Sequence, residues 1–200
     1  MLTIFIGLFF ILLDLPIAVD SIIGVRSASS VFDLLADFVG YIIIYMGLRS
    51  LSGNGKKFKM AETLSWVMFG IGLVEWVTYG IGLGEDFSFA LWICDILVEF
   101  GALAVLYYIV GGIDEMSIVG NVDIKSKRLK TAYIVLAGAV IIMLILHFID
   151  HIGAVEFVWT IIRWICAIAF IFFFYKTKKR YYEAIAVHEE ELAVKAEREE

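Results

Sequence analysis

Long uninterrupted runs of apolar residues dominate the pattern along this chain. A helix needs roughly 20 largely apolar residues to cross the hydrocarbon core of a bilayer. Runs of this kind satisfy their backbone hydrogen bonds internally as helices, and they lack the alternation that is typical of a transmembrane barrel. The pattern therefore predicts an all-α polytopic bundle with six spans, at Leu2–Val19, Val31–Leu51, Ala61–Leu83, Phe89–Gly112, Thr131–Ile149 and Phe157–Tyr175.

The composition agrees with a membrane domain that has the lipid bilayer as its main partner. Of the 200 residues, 62% are hydrophobic, and the mean hydropathy is +0.91, far above that of an ordinary soluble domain. Because no Pro/Gly/Ser-rich linker divides the chain, we predict one transmembrane domain over residues 1–180 and a charged cytoplasmic helix over residues 181–200. The net charge of −6 comes largely from that last segment and does not indicate nucleic-acid binding.

Basic residues are distributed unevenly over the short connections. They follow the second, fourth and sixth spans, whereas the opposite connections contain Arg26 as their one fixed positive charge. By the positive-inside rule, we predict a multi-pass plasma-membrane protein with both termini in the cytoplasm. The basic residues behind this prediction are Arg49, Lys56, Lys57, Lys59, Lys125, Lys127, Arg128, Lys130, Lys176, Lys178, Lys179 and Arg180.

Ionisable residues also interrupt the apolar runs. An ionised side chain at the centre of a bilayer costs at least ~2.5 kcal/mol, so such residues usually face a protein interior or a water-filled cavity. With the predicted orientation, nearly all of them lie in the outer half of the membrane. The candidate ligand-binding residues are Asp14, Asp33, Asp37, Glu75, Asp95, Glu99 and Arg163.

The spacing of the carboxylates predicts shared helical faces. Asp33 and Asp37 are four residues apart, as are Asp95 and Glu99, so we expect each pair to lie on one face of a helix. The first pair recurs 62 positions later as the second. That recurrence suggests three pseudo-repeated helical hairpins, an architecture in which solutes bind along the repeat interface.

Two interpretations of these carboxylates stay open. Carboxylates that lie close together in a low dielectric need a proton, a cation or an arginine partner. Arg163 is the one base deep within the predicted spans, so it can form a structural ion pair with Asp95 or Glu99. In the second interpretation, Glu75, Asp95 and Glu99 form the centre of an outward-facing acidic cavity that binds or transports a small cation, a proton or a cationic solute.

Two histidines provide a different candidate chemistry. His147 and His151 are four residues apart with Asp150 between them, a spacing that can present two nitrogens to one divalent metal. With a metal-activated water, the protein would be a membrane-embedded hydrolase; without a metal, the segment is a wetted turn. A non-transporting membrane subunit or sensor is a third alternative, and a homo-oligomer also stays open.

One segment resembles a known group of proteins. The residues L-A-D-F-V-G-Y at Leu35–Tyr41, followed by M-G-L-R at Met46–Arg49, resemble the P-D-F-x-G-Y and G-L-R/K pattern of small uncharacterised multispanning membrane proteins of Gram-positive bacteria. Ala36 stands where those proteins usually have proline. The resemblance covers the first quarter of the chain. It implies a bacterial plasma-membrane location and a shared structural position for Asp37 and Gly40, but no activity.

Overall fold

Six α-helices make up most of the described chain. The structure is a computed structural model that describes residues 1–12, 16–18, 31–33, 37–80, 87–119, 124, 126–149 and 153–199. A two-stranded antiparallel ribbon, β1 (Pro16–Ala18) with β2 (Val31–Asp33), lies between the first two helices along the chain. The predicted all-α architecture is confirmed in the six helices, α1 (Leu2–Leu12), α2 (Asp37–Arg49), α3 (Lys56–Gly80), α4 (Ser88–Val119), α5 (Ser126–Ile149) and α6 (Gly153–Glu199).

The helices are suited to a lipid bilayer, as the sequence predicts. Among the described residues, three segments are long and apolar enough to cross a membrane: Lys56–Thr78 in α3, Phe89–Ile118 in α4 and Ser126–Ile145 in α5. Large apolar side chains also point outward, and Phe89 and Ile118 are 72% and 73% exposed. Exposed apolar surface on this scale is stable when lipid covers it. The number of six spans stays a prediction.

The predicted bounds of the first two spans are wrong. The first helix ends at Leu12 rather than Val19, because proline lacks the amide donor that a continuing helix needs and Pro16 begins β1 instead. The second helix begins at Asp37 rather than Val31, since residues 31–33 pair with β1.

This shift changes the first acidic pair. Asp33 lies in β2 and Asp37 is the first residue of α2, so the expectation that both share one helical face is wrong. Asp95 and Glu99, by contrast, both lie in α4. The two acidic pairs are therefore not equivalent in structure, and the first hairpin does not match the second at this point of the suggested repeat.

The later helices extend beyond their predicted spans. Helix α3 begins at Lys56, before the predicted Ala61, and α4 continues to Val119. Helix α6 has 47 residues, which gives a length of about 70 Å. Since the hydrocarbon core is about 30 Å thick, α6 is much longer than a span requires. The helix predicted for the C-terminal segment is confirmed up to Glu199, and its separation as a domain stays a prediction.

Each helix packs against its neighbour along the chain, and α1 also packs against α6, which closes the bundle. The core between the helices is apolar and includes Leu8 of α1, Ile44 of α2, Leu106 of α4 and Phe170 of α6, all fully buried. The buried aromatic Tyr41 brings a hydroxyl group into this core. The interior of the bundle therefore consists of apolar packing around a small number of polar groups.

Glycines bring α1 and α2 unusually close. A Cβ atom added to Gly40 would lie 2.6 Å from Cγ2 of Ile11 and 3.0 Å from the carbonyl oxygen of Gly7. One added to Gly47 would lie 2.9 Å from the backbone nitrogen of Ile4. Small residues allow transmembrane helices to approach at backbone distance, where van der Waals contact stabilises their association. The α1–α2 hairpin is therefore held by backbone proximity at these glycines.

Candidate functional site

A short ion pair joins α4 and α6. Nη1 of Arg163 lies 2.7 Å from Oε1 of Glu99, and the two side chains are 19% and 23% exposed. This distance is typical of a charge-assisted hydrogen bond. Glu99 is about 17 Å along α4 from the first residue of the helix, well within the apolar part of the bundle. Of the two partners expected for Arg163, the structure pairs it with Glu99.

Tyr41 of α2 is the buried residue around which the other charges gather. Its side chain is fully buried, and its hydroxyl donates a hydrogen bond of 3.4 Å to the backbone carbonyl of Val98 in α4. Four charged groups from four helices lie within electrostatic range of this hydroxyl. The set, which we call the Tyr41 cluster, consists of Asp37, Tyr41, Glu75, Glu99 and Arg163.

The Tyr41 cluster carries more negative than positive charge. Among the described residues, three carboxylates and one guanidinium act on the Tyr41 hydroxyl, so two negative charges are in excess when all four groups are ionised. The Oδ1 atom of Asp37 is itself buried. Within the described part of the chain, the surroundings of the Tyr41 hydroxyl are therefore acidic in net charge.

A small cavity lies beside the ion pair. Its volume is about 20 Å³, which is room for about one water molecule. Glu99 and Arg163 supply polar atoms to it, and the remaining wall is apolar. The apolar wall comes from α1, α4, α5 and α6 and consists of Ile11, Leu12, Ala102, Leu103, Leu106, Leu136, Val140 and Ala167. In this conformation the cavity matches a water-sized species and is smaller than an organic solute.

Of the four other predicted binding residues, one belongs to the Tyr41 cluster, one is exposed and two have side chains outside the described residues. Asp95, predicted at the centre of the cavity, is exposed on α4. Asp37, predicted to line the approach, is instead one of the charged groups around Tyr41. Asp33 lies in β2, but its side chain is outside the described part of the structure, as is the whole of Asp14.

The predicted metal residues are also outside the described part of the chain. His147 belongs to α5, but its side chain is not among the described ones, and Asp150 and His151 lie in the undescribed segment before α6. Among the described residues, no group of three or more His, Cys, Asp or Glu side chains is arranged to hold a metal ion. A divalent metal at the histidine pair stays a prediction.

The basic residues mark the opposite end of the bundle. Lys57 at the start of α3 pairs with Glu115 near the end of α4 at 3.1 Å. Lys178 of α6 lies 4.7 Å from the ring centroid of Phe5 in α1. Glu115 follows Glu99 by about 24 Å along α4. The Tyr41 cluster and this basic end are therefore well separated along the bundle axis.

Tyr41 is the central residue that sequence reasoning missed. The spacing of four residues between Asp37 and Tyr41 was visible, and both belong to the segment that carries the resemblance. Neither the spacing nor the resemblance shows that the Tyr41 hydroxyl reaches α4.

Comparisons with known proteins give no match: no protein-family model, no curated protein and no solved structure matches the chain.

Proposed function

We propose that this protein binds a proton, or a small inorganic cation in its place, at the Tyr41 cluster and moves it across the membrane. The observation that carries the proposal is the set of three carboxylates that act on the buried Tyr41 hydroxyl, one of which, Glu99, also lies 2.7 Å from Arg163. Asp37, Glu75 and Glu99 provide the negative charge, and Arg163 offsets part of it.

The charge balance supports a cationic species. Beyond the ion pair of Glu99 and Arg163, Asp37 and Glu75 are two further carboxylates that act on the Tyr41 hydroxyl. In a low dielectric, a group of like charges favours protonation of one member or a bound cation. Because all three carboxylates act on the same hydroxyl group, we propose that they exchange protons as a coupled group.

The size of the cavity narrows the class of ligand. A space of about 20 Å³ beside Glu99 and Arg163 holds a water molecule or an ion of similar size. An organic cation needs a far larger pocket, since small-molecule sites are typically about 300–1,000 Å³. We therefore propose protons and small inorganic cations as ligands, in preference to the broader class of cationic solutes.

The proposed setting is the plasma membrane of a bacterium, with six spans and both termini in the cytoplasm. The basic residues at the end of the bundle formed by Lys57, Glu115 and Lys178 support this orientation. In this orientation, the Tyr41 cluster would open towards the outer side of the membrane. The resemblance of residues 35–49 to proteins of Gram-positive bacteria supports the bacterial location.

Flux measurements on reconstituted protein test the proposal. Purified protein is incorporated into liposomes that contain a pH-sensitive dye, and a proton gradient is imposed with sodium, potassium or choline as the outer cation. We expect wild-type protein to dissipate the gradient and Glu75→Gln to reduce the rate at least about tenfold. Glu115→Gln is the matched control, since Glu115 lies at the opposite end and contacts Lys57.

The choline arm separates the two kinds of ligand. Flux that persists in choline indicates proton movement alone, whereas flux that needs sodium or potassium indicates exchange for a small cation. Wild-type rates equal to those of protein-free liposomes would contradict the proposal. Equal loss in Glu75→Gln and Glu115→Gln would contradict the assignment of the site.

A membrane sensor is a second candidate, favoured by the continuity of α6. Arg163 and the C-terminal segment 181–199 belong to one unbroken helix. A change in the ion pair of Glu99 and Arg163 would therefore act directly on α6, the helix that also contains the C-terminal segment. Deleting residues 181–200 discriminates the two candidates. A transporter is expected to retain its flux after the deletion, whereas a sensor shows no flux in either form and loses its partner association.

A further inference from the structure

Tyr41 connects two helices at the turn that carries Glu99. Its ring is fully buried, and its hydroxyl reaches the Val98 carbonyl, which directly precedes Glu99 in the chain. In an α-helix the carbonyl of one residue accepts the amide of the residue four further on. The Val98 carbonyl thus accepts one hydrogen bond within α4 and a second one from Tyr41 of α2.

We propose that Tyr41 is a positioning residue: its hydrogen bond to Val98 fixes the turn of α4 that presents Glu99 to Arg163. This inference rests on the proposed function of the Tyr41 cluster. Without the hydroxyl, this turn of α4 loses its hydrogen bond to α2, and the ion pair of Glu99 and Arg163 is held less firmly. Since Arg163 stabilises the ionised form of Glu99, a looser pair makes Glu99 easier to protonate.

Among the described residues, Glu99 forms an ion pair with Arg163 of α6, and Glu99, Asp37 of α2 and Glu75 of α3 all act on the Tyr41 hydroxyl. The wall of the cavity from α1 and α5 is apolar. Arg163 is thus the positive charge of the cluster, and any change in its distance from Glu99 acts directly on the protonation of that carboxyl.

The chain offers a matched control in Tyr133. Its hydroxyl donates a hydrogen bond of 3.2 Å to the Leu103 carbonyl, so it ties α5 to the same helix α4. The chemistry and the partner helix are the same as for Tyr41. Tyr133 differs in that it is not a member of the Tyr41 cluster, and its hydrogen bond falls one turn beyond Glu99.

Difference infrared spectroscopy of the purified protein tests the inference. The carboxyl C=O band of Glu99 is identified as the band that disappears in Glu99→Gln, and it is followed as a function of pH. We expect Tyr41→Phe to move the midpoint of this band upward by roughly half a pH unit, about a threefold change in the protonation equilibrium. Tyr133→Phe is expected to leave the midpoint unchanged.

An unchanged midpoint in Tyr41→Phe, or an equal shift in Tyr133→Phe, overturns the positioning role. If Tyr41→Phe does not fold, 3-fluorotyrosine at position 41 keeps the ring and strengthens the donor, and it is expected to move the midpoint downward. The titration needs no transport, so failure of wild-type flux with a shifted midpoint contradicts the proposed function alone.

Discussion

Replacing Arg163 with methionine leaves the Glu99 carboxylate beside a largely apolar cavity without its guanidinium partner. At 2.7 Å and an effective dielectric constant of about 20, the attraction within the pair is about 6 kcal/mol. Desolvation of both groups offsets much of it, but removal of one partner of a buried pair still costs about 3–5 kcal/mol. Because the side chains are 19% and 23% exposed, we expect a loss of about 3 kcal/mol in the free energy of unfolding.

The ion pair of Lys57 and Glu115 provides the comparison. Its length of 3.1 Å is similar, but the two side chains are 36% and 44% exposed. In water-like surroundings the attraction at this distance is about 1 kcal/mol, and exposed pairs typically contribute 0.2–1 kcal/mol. Lys57→Met is therefore expected to lower the free energy of unfolding by less than about 1 kcal/mol.

Equilibrium unfolding in mixed detergent micelles, followed by circular dichroism, measures both pairs as double-mutant cycles. Glu99→Gln combined with Arg163→Met is expected to recover much of the loss of the single variant, because no unpaired charge remains. The coupling energy should be about 2 kcal/mol for Glu99 with Arg163, and a few tenths for Lys57 with Glu115. Equal coupling energies, or an Arg163→Met variant as stable as wild type, would refute the reasoning.

Three further predictions use the same unfolding assay. Gly40→Leu should lower the free energy of unfolding by about 1–3 kcal/mol, because its Cβ would lie 2.6 Å from Cγ2 of Ile11. Gly70→Ala should not lower it, because the added Cβ has open space around it. Equal losses in the two variants would contradict close α1–α2 packing. Leu106→Ala should cost about 2–5 kcal/mol, since Leu106 is fully buried, and an unchanged stability would contradict a packed cavity wall. Deletion of residues 182–200, which keeps Tyr181 packed against the core, should leave the unfolding transition of the bundle unchanged, and a lower transition would show that the segment contributes to the bundle.

Helices in the second half of the chain could be predicted because long apolar runs have few other stable conformations in lipid. The first hairpin could not be predicted in detail. Pro16 and Val31 each adjoin apolar residues that continue a predicted span, so hydropathy alone does not distinguish a strand from a span. The backbone approach of Gly40 to α1 depends on the partner helix, which local sequence does not specify.

The candidate site, like the fold, could be predicted from the sequence only in part. An ion pair of Arg163 with Asp95 or Glu99 could be predicted, because charges in an apolar surrounding require compensation and Arg163 is the one base deep in the predicted spans. The sequence does not decide between the two carboxylates, and the structure pairs Arg163 with Glu99. The central position of Tyr41 depends on the contact between α2 and α4, which lie far apart in the chain. A tyrosine in an apolar helix is usually a packing residue, so nothing in its local sequence distinguishes it as the centre of a charged cluster.

Proton uptake by the purified protein is the most direct test of the central claim. The pH of a weakly buffered choline solution is lowered from about 9 to about 6, a range in which exposed carboxylates remain largely ionised. Wild type is compared with the variant that combines Asp37→Asn and Glu75→Gln. We expect wild type to take up more protons per chain than the variant, because Asp37 and Glu75 are two of the three carboxylates that act on the Tyr41 hydroxyl. Equal uptake by the two proteins would contradict the account.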